Sequence, residues 1–295
     1  MRYTLRQLEV FIAVANHENL TKAAEELSMS QSAASSALKD LEDRYELQLF
    51  DRIGKRLQLN EQGQLIRKKA EALLDQAKDL ENSLFRHAEL GPISVGATLS
   101  IGNYLAVNMV AKYKEINPEA KVRLDVANTR TVIERVLNYE LDIGLIEGEI
   151  NHPDLDISPW REDELVVFCS PSHPLVKIQE QRGYITDEDV LAAKWIMREP
   201  GSGTRQGFER VMFRLFPRLK VVLELQHTEA IKRAVEANLG IACLSLITLK
   251  DAFNRGSLVH LRFPSRDFSR QLYLIVRKEK YRSAGIQAWI DFCKA

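Results

Sequence analysis

The sequence predicts two folded parts: an N-terminal all-α winged helix-turn-helix with a long linker helix, and a C-terminal α/β domain of two lobes. Three observations predict this arrangement: a short-sided helix near residue 31, a regularly spaced apolar series from 66 to 84, and alternating strand and helix patterns beyond 93. The length of 295 residues agrees, because one small core does not occupy so long a chain.

Composition excludes several classes of protein. Lys plus Arg and Asp plus Glu number 41 each, so any DNA binding must depend on where the charges are placed. The Cys residues, 3 in number and widely spaced, fit neither a disulfide framework nor a zinc site, and we expect no metal or cofactor. Without a signal-peptide core or a membrane-length apolar run, the chain is expected to be cytoplasmic, with no membrane partner.

The first forty residues predict three short helices. Apolar residues at helical spacing place the first over 4–16, and Thr21 is a plausible N-cap of the second. Ser30 can cap the third through its hydroxyl, and Ala34, Leu38 and Leu41 form the inward stripe of that helix. The outward face then carries short polar side chains and one lysine: Gln31, Ser32, Ser35, Ser36 and Lys39.

This outward face is typical of a helix that reads DNA. A helix that enters the major groove needs short polar side chains, so that its backbone can come close to the bases. Gln31 can pair bidentately with adenine, and Ser32 or Ser35 can reach bases or phosphates. Small residues also mark close helix packing, which is the alternative for this stretch alone. The predicted DNA-binding residues are Thr21, Gln31, Ser32, Ser35 and Lys39, with three more in the next segment.

A predicted hairpin after these helices favours the DNA-binding interpretation. Leu57 and Leu59 alternate with polar residues, which predicts a strand, and Gly54 marks the turn before it. A wing of this kind lies over the phosphate backbone and adds affinity without reading the base sequence. Its predicted DNA-binding residues are Arg52, Lys55 and Arg56.

A long helix is predicted from about residue 60 to Gly91-Pro92, which serves as the linker. Its apolar residues follow alternate spacings of four and three, the a/d pattern of helix pairing. The simplest partner is a second copy related by a two-fold axis, which would present two reading helices to a palindromic site. The predicted dimerisation residues are Ile66, Ala70, Leu73, Ala77, Leu80 and Leu84.

The stretches LRQLEVFIAV, LTKAAEELSMSQSAASSALKDLE and LFDRIGKRLQLNEQG resemble the N-terminus of LysR-type transcriptional regulators. The resemblance implies a winged helix-turn-helix over 1–60, a linker helix over 61–90 and a periplasmic-binding-protein-like effector domain over 91–295. It also implies a homotetramer whose DNA-binding domains pair through the linker helix, with contact to RNA polymerase possible. Many members carry a larger apolar residue and a basic residue where this chain has Ala34 and Ser36.

The second half predicts the effector domain from its own residues. Strands over 93–97, 121–127 and 141–148 alternate with helices, which indicates a parallel sheet with crossover helices. A second set begins at 164, and a late strand over 271–277 returns to the first. The predicted lobes are 91–163 with 266–295, and 164–265.

Ligands of such sheets bind beyond the carboxyl ends of the strands, which selects three loops. One of them, REPGSGTRQGF over 198–208, combines glycines and hydroxyls before a helix start, an arrangement that binds small anions. A simple helix cap is the alternative for such a loop. The predicted ligand-binding residues are Thr98, Ser100, Ile101, Glu147, Gly201, Ser202, Gly203 and Thr204.

A narrower resemblance concerns the ligand. IGNY, DIGLIEG, PWREDELVVF and REPGSGTR are similar to the YeiE-like branch of LysR regulators, which implies sensing of sulfite or a related sulfur oxyanion. Glu147 fits less well, because a carboxylate repels an anion unless it is protonated or turned away. It can instead accept a hydrogen bond from a proton-bearing ligand such as hydrogensulfite.

Two other interpretations of the second half are weaker. An enzyme is disfavoured because the histidines lack ligand spacing and no GxSxG elbow appears, so no catalytic residue is predicted. Peroxide sensing through Cys169 and Cys243 is disfavoured because both lie in apolar strands, where cysteines are usually inert. A small carboxylate remains an alternative effector.

Overall fold

The computed structural model describes residues 2–54, 56–85 and 90–294, with the side chains of 82–85 excepted. The predicted wing residue Lys55 and the side chain of Leu84 therefore lie outside the described residues. The chain divides into two units, residues 1–91 with 279–284 and residues 92–278 with 285–295.

The N-terminal unit is a helix-turn-helix followed by a β-hairpin and a long helix. Phe11 and Val14 are fully buried and meet the inward stripe of the third helix, while the Phe11 and Phe50 rings pack edge to face at 5.6 Å. The elements are α1 (Leu5–His17), α2 (Leu20–Glu26), α3 (Gln31–Arg44), β1 (Phe50–Ile53), β2 (Arg56–Leu59) and α4 (Glu61–Phe85).

The capping residues confirm one prediction and correct another. Ser30 caps α3, its hydroxyl accepting from the Ala33 N–H at 3.2 Å. Thr21 does not cap α2: the N-cap is Asn19, whose Oδ1 accepts from the N–H groups of Thr21 at 2.9 Å and Lys22 at 3.1 Å. An asparagine two residues earlier satisfies both orphan donors, so the helix begins at Leu20 and Thr21 lies inside its first turn.

Part of the predicted seam on α4 packs within its own unit. Ala70 and Leu74 are buried in the N-terminal core, and Ile66 and Leu73 pack partly against it. Leu80 is 62% exposed. The first half of the a/d series therefore helps to stabilise this chain, and among its described members Leu80 is exposed.

The second unit starts with parallel pairing, as the sequence predicts. Strand β3 (Ile93–Thr98) lies between β4 (Val122–Ala127) and β5 (Ile143–Glu147) and is parallel to both. The crossovers are α5 (Leu99–Ile101), which continues through a π-helical segment (Gly102–Ala106) into α6 (Val107–Ile116), and α7 (Thr129–Leu137). The carboxyl ends of β3, β4 and β5 therefore meet at one edge.

The remaining strands join the two lobes. Strand β6 (Leu155–Cys169) runs through the predicted lobe boundary at 163/164, so the crossing occurs inside one continuous strand. The helices and strands that follow it are α8 (Pro174–Arg182), α9 (Asp187–Ala192), β7 (Lys194–Arg198), α10 (Gly203–Val211), β8 (Lys220–Leu225), α11 (Thr228–Glu236), β9 (Ala242–Ser245), α12 (Lys250–Asn254), β10 (Val259–Leu261), β11 (Ser269–Arg277) and α13 (Ala284–Lys294).

Strand pairing explains how the second lobe is attached. The order is β10-β6-β11-β5-β3-β4, with β9 also on β6, and both β6 and β5 pair antiparallel with β11. Strands β7 and β8 are parallel, so α10 and α11 start at the same edge. The sequence patterns predicted neither α8, β7 nor β10. No helix of the described residues is long and apolar enough to cross a membrane.

Candidate DNA-binding and effector sites

The outward face of α3 is open to solvent. Gln31, Ser32, Ser35 and Lys39 are all exposed, whereas Ala34 on the opposite face is fully buried. Ser32 Oγ lies 3.0 Å from Ser30 Oγ, at the start of the helix. Short polar side chains on an exposed helix face allow the close backbone approach that reading of the major groove requires.

The wing is a second exposed segment of the N-terminal unit, and it carries positive charge. Arg52 is exposed on β1, and the Arg56 side chain on β2 is 74% exposed and 3.8 Å from a Glu18 carboxylate oxygen. A surface pair at that distance is weak, so the Arg56 guanidinium stays available for phosphate. Thr21 is exposed in the first turn of α2.

The predicted effector residues meet at one buried carboxylate, that of Glu147 at the end of β5. Thr98 Oγ1, from the end of β3, donates to Glu147 Oε1 at 3.1 Å. Thr204 Oγ1, from the first turn of α10 in the other lobe, donates to Oε2 at 2.6 Å. Glu147 is 2% exposed. The two hydroxyl-rich helix starts that the sequence selected therefore do converge.

Thr129 is a further member of this site, at the start of α7. Its hydroxyl donates to the Glu147 backbone oxygen at 3.0 Å and accepts from the Gly203 N–H at 3.0 Å. Gly203 is required there, because a Cβ would lie 2.1 Å from the Glu147 backbone oxygen. The sequence contained a signal for this residue. Asn128 follows strand β4 and caps α7, and Thr129 is the first residue of that helix, so a hydroxyl lies at a helix start here as it does at Thr98 and Ser202.

Arg270 on β11 compensates the buried negative charge. Its Nη2 lies 3.1 Å from Glu147 Oε2 and 2.7 Å from Asp163 Oδ2, and its side chain is 4% exposed. Ser245 Oγ donates to the other oxygen of Asp163 at 2.7 Å. Sequence reasoning missed Arg270 and Asp163 because both read as ordinary polar positions of strands far apart in the chain.

The surroundings of Glu147 keep it ionised. Burial by itself raises the pKa of this carboxyl, but the positive charge of Arg270 and the Thr204 hydroxyl outweigh it, with smaller contributions from Ser100 and Arg198. The resulting pKa is about 2. The carboxylate is therefore neither protonated nor turned away: it is a buried anion that already uses two of the predicted hydroxyl donors.

The remaining predicted ligand residues belong to the same loops and helix starts as Thr98 and Thr204. Ser202 caps α10 by accepting from the Arg205 N–H at 3.4 Å, and Gly201 has a φ of +91° before it. Ile101 and Ser100 are buried in the first helical turn after Thr98. Arg205 does not add charge to the loop, since its guanidinium pairs with Glu209 and Glu224.

In the described part of the chain, two buried cysteines and two histidines show no reactive arrangement. Cys169 and Cys243 are buried, and burial raises the pKa of Cys169 to about 12 and that of Cys243 further. His152 and His173 each accept a nearby backbone N–H through Nδ1, at 3.2 and 3.3 Å. Among the described residues, no group of His, Cys, Asp or Glu is arranged to hold a metal ion.

Comparison with known proteins gives the family directly. The model of the bacterial regulatory helix-turn-helix protein, lysR family, matches residues 5–64, and the LysR substrate binding domain matches 86–295. The chain is 41% identical over 293 residues to the uncharacterized HTH-type transcriptional regulator YeiE of Escherichia coli (strain K12), covering 99% of this chain and 98% of that protein.

Solved structures share the fold. A full-length OxyR variant from Pseudomonas aeruginosa matches with a TM-score of 0.75 and 21% identity over 99% of this chain and 95% of that one. The CcmR regulatory domain of Synechocystis PCC6803, solved in complex with 2-PG, matches with a TM-score of 0.63 and 27% identity over 69% of this chain and 96% of that one. The chain therefore belongs to the LysR family: it is a DNA-binding transcription regulator with an effector-binding domain, and not an enzyme.

Proposed function

We propose that the effector is a small proton-bearing oxyanion, with sulfite favoured, and that it binds where the helix starts meet Glu147. The observation that carries this proposal is the ionised Glu147 carboxylate at the meeting point of Thr98, Thr204 and Thr129. Helix starts and hydroxyl donors attract an anion, while a fixed carboxylate selects which anion can enter.

The charge balance disfavours a bare dianion. Arg270 is shared between Glu147 and Asp163, so the cluster holds no surplus positive charge at this point. An anion that carries a proton can donate a hydrogen bond to Glu147, whereas one without a proton meets only repulsion. Sulfite takes up a proton near neutral pH and sulfate does not. Glu147 would therefore favour binding of sulfite over binding of sulfate.

Two comparisons support a small-molecule effector of this kind. The similarity to YeiE extends over nearly the full length of both chains. The related CcmR regulatory domain was solved in complex with 2-PG, which supports a small ligand in a domain of this fold. Peroxide sensing is not supported, because burial keeps the thiols of Cys169 and Cys243 protonated at neutral pH.

The DNA side of the proposal follows from the N-terminal unit. Gln31, Ser32 and Ser35 on α3 would read bases of a palindromic promoter site, and the wing arginines would contact phosphates. The remaining proposed contacts are Thr21, Lys39 and Lys55. Dimers would form through exposed positions of α4 such as Leu80, and pairs of dimers would form a cytoplasmic homotetramer.

Regulation would follow from a population shift. A ligand that binds one arrangement of the two lobes better than another changes the share of each arrangement. That change would alter the spacing of the paired DNA-binding domains. The bending of the DNA and the contact with RNA polymerase would change with it.

Calorimetric titration of the full chain tests the effector. Sulfite, sulfate and a set of small carboxylates would be added at matched ionic strength to the wild type, to Glu147→Gln and to the control Glu149→Gln. Glu149 is the next acidic residue along the chain, but its side chain is 62% exposed and pairs with Arg210 at the surface. We expect wild type and control to bind sulfite and to reject sulfate.

Glu147→Gln should lose this preference, because the amide of glutamine adds a donor and removes the charge. Sulfite should bind less tightly to the variant and sulfate more tightly. An unchanged sulfite affinity would remove Glu147 from direct recognition. Binding of a carboxylate, with no oxyanion bound, would keep the regulator and replace the sulfur assignment.

A further inference from the structure

We infer that Tyr104, Glu229 and Lys232 form a contact that holds the two lobes together and so sets how often the effector domain is closed. We call these three residues the interlobe contact. Its bonds lie within the chain, so they bias the lobes whichever effector binds. Three features carry this inference: the hydrogen bonds of the three side chains, the way each side is fixed in its own lobe, and a second set of bonds that reports whether the lobes are together.

The interlobe contact joins a tyrosine of the first lobe to an ion pair of the second. Tyr104 Oη donates to Glu229 Oε1 at 2.8 Å and accepts from Lys232 Nζ at 3.1 Å. Lys232 Nζ also donates to Glu229 Oε1 at 2.6 Å. One hydroxyl therefore bonds to both members of an ion pair across the lobe boundary. Each of these bonds includes a charged group, which makes it one of the stronger kinds of hydrogen bond.

In the first lobe, Tyr104 lies on a fixed base. It is the central residue of the π-helical segment Gly102–Ala106, and such segments occur frequently at functional positions. Gly102 begins the segment close to strand β4, because a Cβ on it would lie 2.7 Å from Val126 Cγ2. The segment is therefore packed tightly on the sheet, so Tyr104 does not follow α11 when the second lobe moves.

In the second lobe, Lys232 is fixed by its own neighbours. Its Nζ donates to the Thr248 backbone oxygen at 3.2 Å, and its side chain is 11% exposed. Burial lowers the pKa of Lys232, but its hydrogen bonds with Glu229 and Tyr104 outweigh burial and leave the pKa raised, so the ammonium stays charged. When the lobes separate, Lys232 keeps its two partners in the second lobe, and only the bonds to Tyr104 are lost.

The interlobe contact therefore stabilises the closed domain and not the separate lobes. On opening, the Tyr104 hydroxyl exchanges its protein partners for water, and the net loss of a side-chain hydrogen bond of this kind corresponds to about tenfold in the ratio of closed to open domains. A bias of that size changes the share of each lobe arrangement. An effector would act on the balance that this contact sets.

A separate set of bonds crosses between the lobes and shares no residue with the interlobe contact. The Arg130 N–H donates to the Gly201 backbone oxygen at 3.2 Å, and the Gly203 N–H donates to Thr129 Oγ1 at 3.0 Å. Arg130 and Gly203 lie in the first turns of α7 and α10, where N–H groups have no partner within the helix. Their protection from exchange with solvent therefore depends on the lobes being together.

Hydrogen exchange of the full chain without ligand, followed at single residues, tests the inference. Tyr104→Phe removes the hydroxyl and keeps the ring. The matched control Tyr273→Phe changes another half-buried tyrosine, on β11 within the first lobe. The two cross-lobe amides report on the lobes. The Ile196 N–H, which donates to the Ile241 backbone oxygen at 2.9 Å within the second lobe, reports on global opening.

We expect Tyr104→Phe to raise the exchange rates of the Arg130 and Gly203 amides about tenfold, the effect of one hydrogen bond between side chains. The Ile196 amide should exchange as it does in the wild type. Tyr273→Phe should change none of the three rates.

A second variant tests whether the residues act as one contact. Glu229→Ala should raise the same two rates by less, because Lys232 still donates to Tyr104. The double variant of Tyr104→Phe with Glu229→Ala should exchange as Tyr104→Phe alone does, since the hydroxyl that donates to Glu229 is already gone. Additive increases would contradict a single contact of three residues.

Three results would overturn the inference. Wild-type exchange rates of Arg130 and Gly203 in Tyr104→Phe would mean that the hydroxyl does not hold the lobes together. A rise shared equally by Ile196 would mean that Tyr104 serves the stability of the whole chain. Cross-lobe amides without protection in the wild type would mean that the lobes are not closed. A failure of sulfite to bind would remove the proposed function and leave the interlobe contact in place, because this experiment contains no ligand.

Discussion

The reading helix α3 and the Glu147 cluster use the same kind of side chain, a small hydroxyl, in opposite ways. The serines of α3 are exposed, and their hydroxyls are not needed to hold a buried charge. The threonines around Glu147 are buried and bond to one carboxylate or to its backbone. Recognition and stability are therefore separate on α3, whereas in the effector site they depend on the same atoms.

The strongest way to break this contrast is Arg270→Met. The substitution leaves the buried carboxylates of Glu147 and Asp163 without their shared cation, a loss of about 3–5 kcal/mol in unfolding free energy. Urea denaturation measures it. The control is Arg210→Met, whose guanidinium pairs at the surface with Glu149, and it should cost less than about 1 kcal/mol. Equal losses in the two variants would mean that the buried ion pairs of Arg270 contribute no more to stability than the surface pair of Arg210.

Lowering the pH should reveal the same dependence of stability on the ionised Glu147 carboxylate, without any substitution. The pKa of Glu147 falls from 4.5 to about 2 on folding, so its ionised form stabilises the fold above about pH 4.5. That contribution is lost as the pH falls toward 2. At about 1.4 kcal/mol per pKa unit, the loss is about 3 kcal/mol.

Urea unfolding at a series of pH values from 6 to 2 would measure this loss. Glu147→Gln cannot titrate at this position, so its stability should fall less steeply over the same range. The same slope in wild type and Glu147→Gln would contradict the assignment of the acid sensitivity to this residue.

On α3 the expected effect falls on DNA and not on folding. Gln31→Ala should lose about 1–3 kcal/mol of discrimination between the preferred operator and one with the contacted base pair changed. Because the Gln31 side chain is exposed, the unfolding free energy should stay within about 0.5 kcal/mol of wild type. Gln48→Ala, an exposed glutamine outside the helix, is the matched control. Anisotropy titrations on operators selected in vitro would separate the two variants.

The same contrast explains what the sequence could predict. The helix-turn-helix and the wing depend on neighbours within a few residues, so spacing and capping patterns identified them, with Ser30 correct and Thr21 displaced by Asn19. The effector loops were found because strand ends gather at one edge. The charged partners of Glu147 were not found from the sequence. Arg270 lies 123 positions further along the chain, and only strand pairing brings it close to Glu147.

The long helix shows a limit of periodicity itself. An a/d series predicts that one face is buried, but it does not say whether the cover is a second copy or the same chain. In α4, Ala70 is buried by the hydrophobic core of its own N-terminal unit, while Leu80 remains exposed. The predicted dimer thus retains only part of the seam from which it was inferred.

The smallest expected effect concerns the wing, where charge gives affinity without specificity. Arg52→Ala should reduce the slope of log affinity against log salt by about 1, because one fewer phosphate is neutralised. The loss should be the same on preferred and scrambled DNA. Arg233→Ala, a 77% exposed arginine of the effector domain, should leave the slope unchanged. A loss confined to the preferred operator would instead mean that Arg52 reads bases, and the division between a reading helix and a positioning wing would fail.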